Sequence, residues 1–266
     1  MRISKLFTLG VCLATLVGGA VVAAGPSAIA ADVRYVALGD SYSSGLGTGN
    51  YDPASGNCKR SPNAYPALWA GSHATASFNF VACSGATTTD VLNSQLSPLN
   101  SSTTLVSITI GGNDAGFSTV MQTCVLGSDS ACLAAVAGAQ DFAANQLPAR
   151  LNTLFSAIHS RAPGAHVVVL DYPHLYKITS ICVGLSNTKR TALNNAADTL
   201  DTTINKGAAN AGFAFADVRS RFSGHELCSG DGWLHSVTIP IGESYHPTSL
   251  GHSSGYLPVL NSASSV

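Results

Sequence analysis

Five short apolar runs punctuate the chain: RYVALG (34–39), FNFVAC (78–83), LVSITIGG (105–112), HVVVLDYP (166–173) and FAFADV (213–218). Each is bounded by glycine, proline or small polar residues, the pattern of strands buried on both faces. The stretches between them carry apolar residues at helical spacing. Helices are expected over 63–73, 88–96 and 187–212, the last ending at Gly212 as a C-cap, with a final helix within 247–260. A long helical region is expected over roughly 130–160, where Leu147, Leu151, Leu154 and Ile158 recur on one face. Pro148 should kink or divide it, because proline lacks the N–H that an interior helical position donates. Strands alternating with helices predict an α/β fold: one domain, residues 31–266, with a mainly parallel five-stranded sheet covered on both sides. Such sheets bind ligands at the carboxyl ends of their strands.

The first 30 residues fall outside this alternation. Arg2 and Lys5 precede an apolar run from Leu6 to Ala24, and Ala28-Ile29-Ala30 offers small residues where a signal peptidase reads them. Residues 1–30 are therefore expected to be a signal peptide and the protein to be secreted and extracellular. An uncleaved membrane anchor is the rival reading, disfavoured by Gly18, Gly19, Gly25 and Pro26. No second apolar run is long enough to span a bilayer.

Composition narrows the function classes. The chain is 45% hydrophobic and only 10% charged, with a formal net charge of −1. Nucleic acid needs a surplus of Lys and Arg, so it is not an expected partner. Cys12 lies in the leader; six cysteines remain, Cys58, Cys83, Cys124, Cys132, Cys182 and Cys228. An even number in an exported chain reads as three disulfides. Six cysteines allow 15 connectivities; pairing in sequence order is expected, because each pair then closes a local loop. No CxxC, HExxH or EF-hand loop occurs, so no metal or other cofactor is expected.

Three polar, glycine-containing turns follow the first three strands: Gly39-Asp40-Ser41, Cys83-Ser84-Gly85-Ala86 and Gly111-Gly112-Asn113-Asp114. All three would leave one rim of the sheet. His246 lies in a late loop, ESYHPT, able to fold back over that rim. Ester cleavage needs an alcohol, a base to take its proton, and fixed donors for the oxyanion. Ser41 supplies the alcohol and His246 the base. The main-chain N–H groups of Ser41 and Gly85, with the Asn113 side-chain amide, could supply three donors. Asp40 and Asp114 read as structural carboxylates binding main-chain N–H groups in their turns.

These four blocks, GDS at 39–41, the glycine at 85, GGND at 111–114 and HP at 246–247, resemble in order those of the GDSL or SGNH hydrolases. YVALGDSYSSG, CKRSPNAYPALWA, FNFVACSGA, LVSITIGGNDAGF, GHELCSG and SYHPT look closer still to that family's secreted actinomycete lipases and phospholipases A1. The resemblance spans nearly all of the chain beyond the leader. It implies a three-layer α/β/α fold and carboxylic ester hydrolysis. It also implies Ser41 as nucleophile, Gly85 and Asn113 as oxyanion donors, and His246 as base. It supports the pairings Cys58–Cys83, Cys124–Cys132 and Cys182–Cys228.

One position departs from the family pattern. Many members carry an aspartate three residues before the histidine; here that residue is Glu243. The resemblance to dyad-type relatives implies that the main-chain carbonyl of Ser244 orients His246, with Glu243 as the alternative. The expected substrate is a lipid ester, met by a monomer in transient contact with a lipid interface. Two other readings stay open: a carbohydrate acetyl-esterase on the same fold, and a secreted binding protein with no catalysis.

Overall fold

The computed structural model describes Met1 and residues 32–265. Apart from Met1, the expected signal peptide at 1–30 lies outside the described residues. Five strands, β1 (Val33–Gly39), β2 (Thr75–Phe80), β3 (Leu105–Thr109), β4 (His166–Leu170) and β5 (Ala214–Ala216), form one sheet in the order β2-β1-β3-β4-β5. All four pairings are parallel. Central β1 and β3 run in register, with Leu38 beside Ile108 and Gly39 beside Thr109, so their carboxyl ends finish at one level.

The helices are α1 (Ser41–Ser44), α2 (Tyr65–Ser72), α3 (Thr88–Ser94), α4 (Phe117–Leu126), α5 (Asp129–Asn145), α6 (Leu147–Arg161), α7 (Asn187–Asn210), α8 (Arg219–Phe222) and α9 (Leu257–Ser264). A π-helical stretch, Gly251–Tyr256, leads into α9. Helices α2 and α9 pack together, as do α3, α6 and α7, with α5 against α7. Right-handed crossovers between parallel strands put these two groups on opposite faces. The result is the three-layer α/β/α arrangement. Leu147, Leu151, Leu154 and Ile158 are fully buried, as their helical spacing requires.

Several boundaries differ from the sequence expectation. The second strand is Thr75–Phe80, not 78–83. Val81 and Ala82 both turn their N–H groups to the carbonyl of Ala37, which ends the ladder. The 130–160 region is two helices meeting at Gln146, with Pro148 in the first turn of α6, where its missing N–H costs nothing. The fourth strand stops at Leu170, because the next N–H, that of Asp171, is the last to reach β5 and Tyr172 N–H turns to the Asp201 carboxylate. Helix α7 ends at Asn210, with Gly212 left-handed at φ 72° just beyond. The cysteines lie paired in sequence order, Cys58–Cys83, Cys124–Cys132 and Cys182–Cys228.

Candidate active site

The end of β1 is held unusually tightly. Gln95, buried on α3, accepts from the Gly39 N–H at 2.8 Å and donates to the Gly39 carbonyl at 2.9 Å. Gly39 has φ 120°, and a Cβ there would lie 2.5 Å from the Thr109 carbonyl oxygen. Only glycine allows β1 and β3 to approach so closely while the chain turns. Asp40 then caps α1 by accepting from the Tyr42 N–H, and its carboxylate also accepts from the Thr109 and Tyr172 hydroxyls. Burial pushes its pKa up to about 6, against the opposing pull of those donors. Asp114 is likewise structural: it accepts from the Thr88 N–H and hydroxyl, joining the third turn to the start of α3.

This frame places Ser41 at the first position of α1, buried beneath the rim. Its Oγ lies 2.8 Å from Nε2 of His246. On the other side of the ring, Nδ1 lies 3.0 Å from the Ser244 carbonyl oxygen. The Glu243 carboxylate is engaged elsewhere, accepting from the Tyr51 hydroxyl at 2.7 Å. The Glu243 main-chain carbonyl takes the His246 main-chain N–H at 3.2 Å, so of the two residues that could orient His246, Ser244 is the one whose oxygen meets the ring nitrogen. Burial lowers the His246 pKa to about 4, so the ring is neutral near pH 7. A neutral ring donating from Nδ1 to a carbonyl leaves Nε2 as an acceptor for the Ser41 hydroxyl.

The loop carrying His246 is fastened at several points. The Tyr42 hydroxyl donates to the Tyr245 carbonyl at 2.7 Å, and its ring lies 5.2 Å from the imidazole. Main-chain bonds join His235 to Tyr245 and His246, while the His235 ring reaches the Gly47 carbonyl at 2.7 Å. Tyr245 adopts φ 66°, a left-handed conformation held by these contacts. The sequence pattern singled out none of Gln95, Tyr42 or Tyr172, because each looks like an ordinary helix, turn or strand-end residue.

Gly85 and Asn113 arrive from the second and third turns. The Cys83 N–H donates to the Gly39 carbonyl and the Ser84 N–H to Cys58, so the second turn is pinned to the first. Gly85 follows at φ 84°, with open space where a Cβ would stand. Neither its N–H nor that of Ser41 donates to an acceptor among the described residues. Asn113 gives one amide hydrogen to the Ala86 carbonyl at 3.0 Å, which fixes its plane and leaves the other free. Asn113 and Ser41 line the same groove.

That groove runs from Ser41 between α4, α5 and α7. Its walls are nearly all apolar: Phe117 and Val120 from α4, Ala139 and Ala143 from α5, Ala196 and Leu200 from α7. A hydroxyl with an acceptor imidazole and unclaimed N–H donors, at the head of an apolar trough, can open an ester whose acyl chain lies in the trough.

Comparison with known proteins identifies the family. Residues 37–253 match the model of the GDSL-like lipase/acylhydrolase family. Lipase 1 of Streptomyces coelicolor is 58% identical over 92% of this chain and 91% of its own length. Among solved structures, an extracellular lipase from Streptomyces rimosus superposes with a TM-score of 0.85 at 60% identity, covering 87% of this chain and 99% of that one. A phospholipase A1 from Streptomyces albidoflavus gives a TM-score of 0.85 at 59% identity, covering 86% and 98%.

Proposed function

The chain belongs to the GDSL-like lipase/acylhydrolase family and is a carboxylic ester hydrolase, and from that premise we propose that it is a secreted enzyme cleaving lipid esters through an acyl-enzyme on Ser41. The observation that carries this reading is the 2.8 Å approach of Ser41 Oγ to His246 Nε2 at the head of the apolar groove.

The reaction follows from that contact. Ser41 Oγ bonds to the ester carbon as its proton passes to Nε2. The carbonyl oxygen becomes an oxyanion facing the Ser41 and Gly85 N–H groups and the Asn113 amide. Imidazolium forms with its Nδ1–H on the Ser244 carbonyl, a dipole that stabilises the cation less than a carboxylate would. Collapse of the intermediate breaks the bond to the alkoxy oxygen, which leaves with the proton from Nε2. Water then gives a proton to Nε2 as its oxygen bonds to the acyl carbon. Collapse of this second intermediate breaks the bond to Ser41 Oγ, which takes the proton back from Nε2 as the acid is released. No step needs a metal or cofactor.

The groove supports a lipid substrate over an acetyl ester, since an acetyl group would leave most of the apolar wall uncovered. Secretion is supported by the leader-like residues 1–30 and by the extracellular Streptomyces rimosus relative. A fluorophosphonate should label the wild-type protein and spare Ser41→Ala, which should stay folded without turnover. Near-wild-type activity in Ser41→Ala would refute the nucleophile. A panel of triolein, phosphatidylcholine, nitrophenyl esters and acetylated xylan separates the readings: preference for acetylated xylan would favour the carbohydrate esterase, and absence of both turnover and labelling the binding protein.

A further inference from the structure

Large aliphatic side chains stand in water on three separate segments. On the segment after Lys177, Ile181 and Val183 are 87% and 96% exposed; on the segment before Glu243, Ile239 is 93% exposed. Val125 and Leu126 at the end of α4 are exposed as well. Distant in sequence, the segments meet: Val125, Val183 and Val237 line one depression together with the buried Tyr176 and Tyr245, and Leu126, Ile181 and Ile239 lie within two residues of that lining along the chain. Exposed apolar surface concentrated in one place marks a contact face.

We infer that this face seats the enzyme on the surface of a neutral or zwitterionic lipid aggregate, an inference that rests on the lipid-ester reading above. Two features identify the occupant. The first is charge. Residues 178–185 and 236–242 contain no charged side chain. Lys189, at the depression's edge, turns its ammonium inward to the carbonyls of Cys124 and Gly127. It is the one charged residue lining the depression and lies 3.7 Å from the Asp129 carboxylate, with Lys177 and Asp129 only flanking the aliphatic projections. Such a lining complements lipid whose headgroups carry no net charge.

The second feature is continuity with the substrate groove. Helix α4 lines the groove with Phe117 and Val120, and the depression with Val125 at its other end. Helix α7 gives Leu193 to the groove and Lys189, one turn earlier, to the depression. Leu175 lines the first and Tyr176 the second, and Tyr245 in the depression precedes His246. A lipid surface resting on the depression therefore lies against the same two helices and the same 175–176 segment that build the groove, with Tyr245 joining it to the loop of His246.

The test uses phosphatidylcholine vesicles and the Ser41→Ala protein, so that binding is read without hydrolysis. Ser41→Ala should co-float with vesicles, and adding Val183→Asp and Val237→Asp should weaken that binding at least tenfold. With Ser41 intact, the same double variant should keep its kcat/KM on a short soluble nitrophenyl ester and lose tenfold or more on vesicles. That retained activity shows the fold intact. Unchanged vesicle binding, or equal loss on both substrates, would overturn the inference. So would release of a dimer to monomer without a change in vesicle binding, which would assign the face to a second copy of the chain. Failure of the catalytic reading looks different: Ser41→Ala would then still hydrolyse ester, whatever the vesicles do.

Discussion

The imidazole Nδ1 of His246 lies 3.0 Å from the main-chain carbonyl oxygen of Ser244. A peptide carbonyl thus occupies the place where a carboxylate would complete a triad, and Glu243 spends its carboxylate on the Tyr51 hydroxyl. Glu243→Gln keeps an oxygen that Tyr51 can reach and removes the charge. It should leave kcat within a few-fold of wild type on a soluble ester. A loss on the order of 10⁴ would assign Glu243 the orienting role.

Acid tolerance follows from the same ring. The base must be neutral, and burial lowers the His246 pKa from its ordinary value of 6.5 to about 4. The neutral form therefore persists as pH falls through 6.5, and the acid limb of kcat/KM should lie well below 6.5, toward 4. The linked stability has the same sign: the unfolded imidazole binds a proton below 6.5 and the folded one does not, so this contribution is lost as pH falls from 6.5 to about 4. A pH profile of kcat/KM on a short nitrophenyl ester reads the limb. A midpoint at or above 6.5 would contradict the buried neutral ring.

Asn113 should act on the transition state. Its amide plane is set by the bond to Ala86, so the remaining N–H is directed before substrate arrives. Asn113→Ala should lower kcat roughly 10²–10³-fold, the range for loss of one oxyanion donor. A change confined to KM would exclude that role. Asn113→Asp should be at least as damaging, because a carboxylate repels the developing oxyanion.

How much of this the sequence disclosed follows from what sequence encodes. The central strands β1, β3 and β4 and the four motif turns were legible, because burial on both faces demands apolar runs and tight turns demand glycine at places such as Gly39 and Gly85. The edge strand β2, by contrast, is exposed at Ala76, Ser77 and Asn79 and is not the doubly buried strand its sequence suggested. Strand ends were not legible: FNFVAC reads as strand throughout, yet the ladder ends when two N–H groups share the Ala37 carbonyl. Helix α4 went unread although Phe117, Val120, Met121 and Cys124 stand at helical spacing, because ten residues directly after the GGND turn read equally well as a continuation of that loop. Gln95 and Tyr172 were invisible because each holds a residue more than 50 positions away, Gly39 and Asp40. Nor could any pattern show the groove, since alanines on α5 and α7 read equally well as tight helix packing.

Those alanines give a prediction about specificity. Ala139 and Ala143 on α5 face Ala196 and Ala197 on α7 along the groove that starts at Ser41. Small side chains there leave room for a chain of methylenes, each worth about 0.8 kcal/mol when buried. Ala143→Leu and Ala196→Leu would each fill part of that space with branched carbon. Short acyl chains, seated near Ser41, should react as before, while long chains should lose the methylenes that no longer fit. Two lost methylenes correspond to about 1.6 kcal/mol, more than tenfold in kcat/KM, taking about 1.4 kcal/mol per tenfold. Nitrophenyl butyrate against nitrophenyl decanoate measures the ratio. Equal loss on both esters would mean that the leucines disturb Ser41 itself, and no loss on either would place the acyl chain outside this groove.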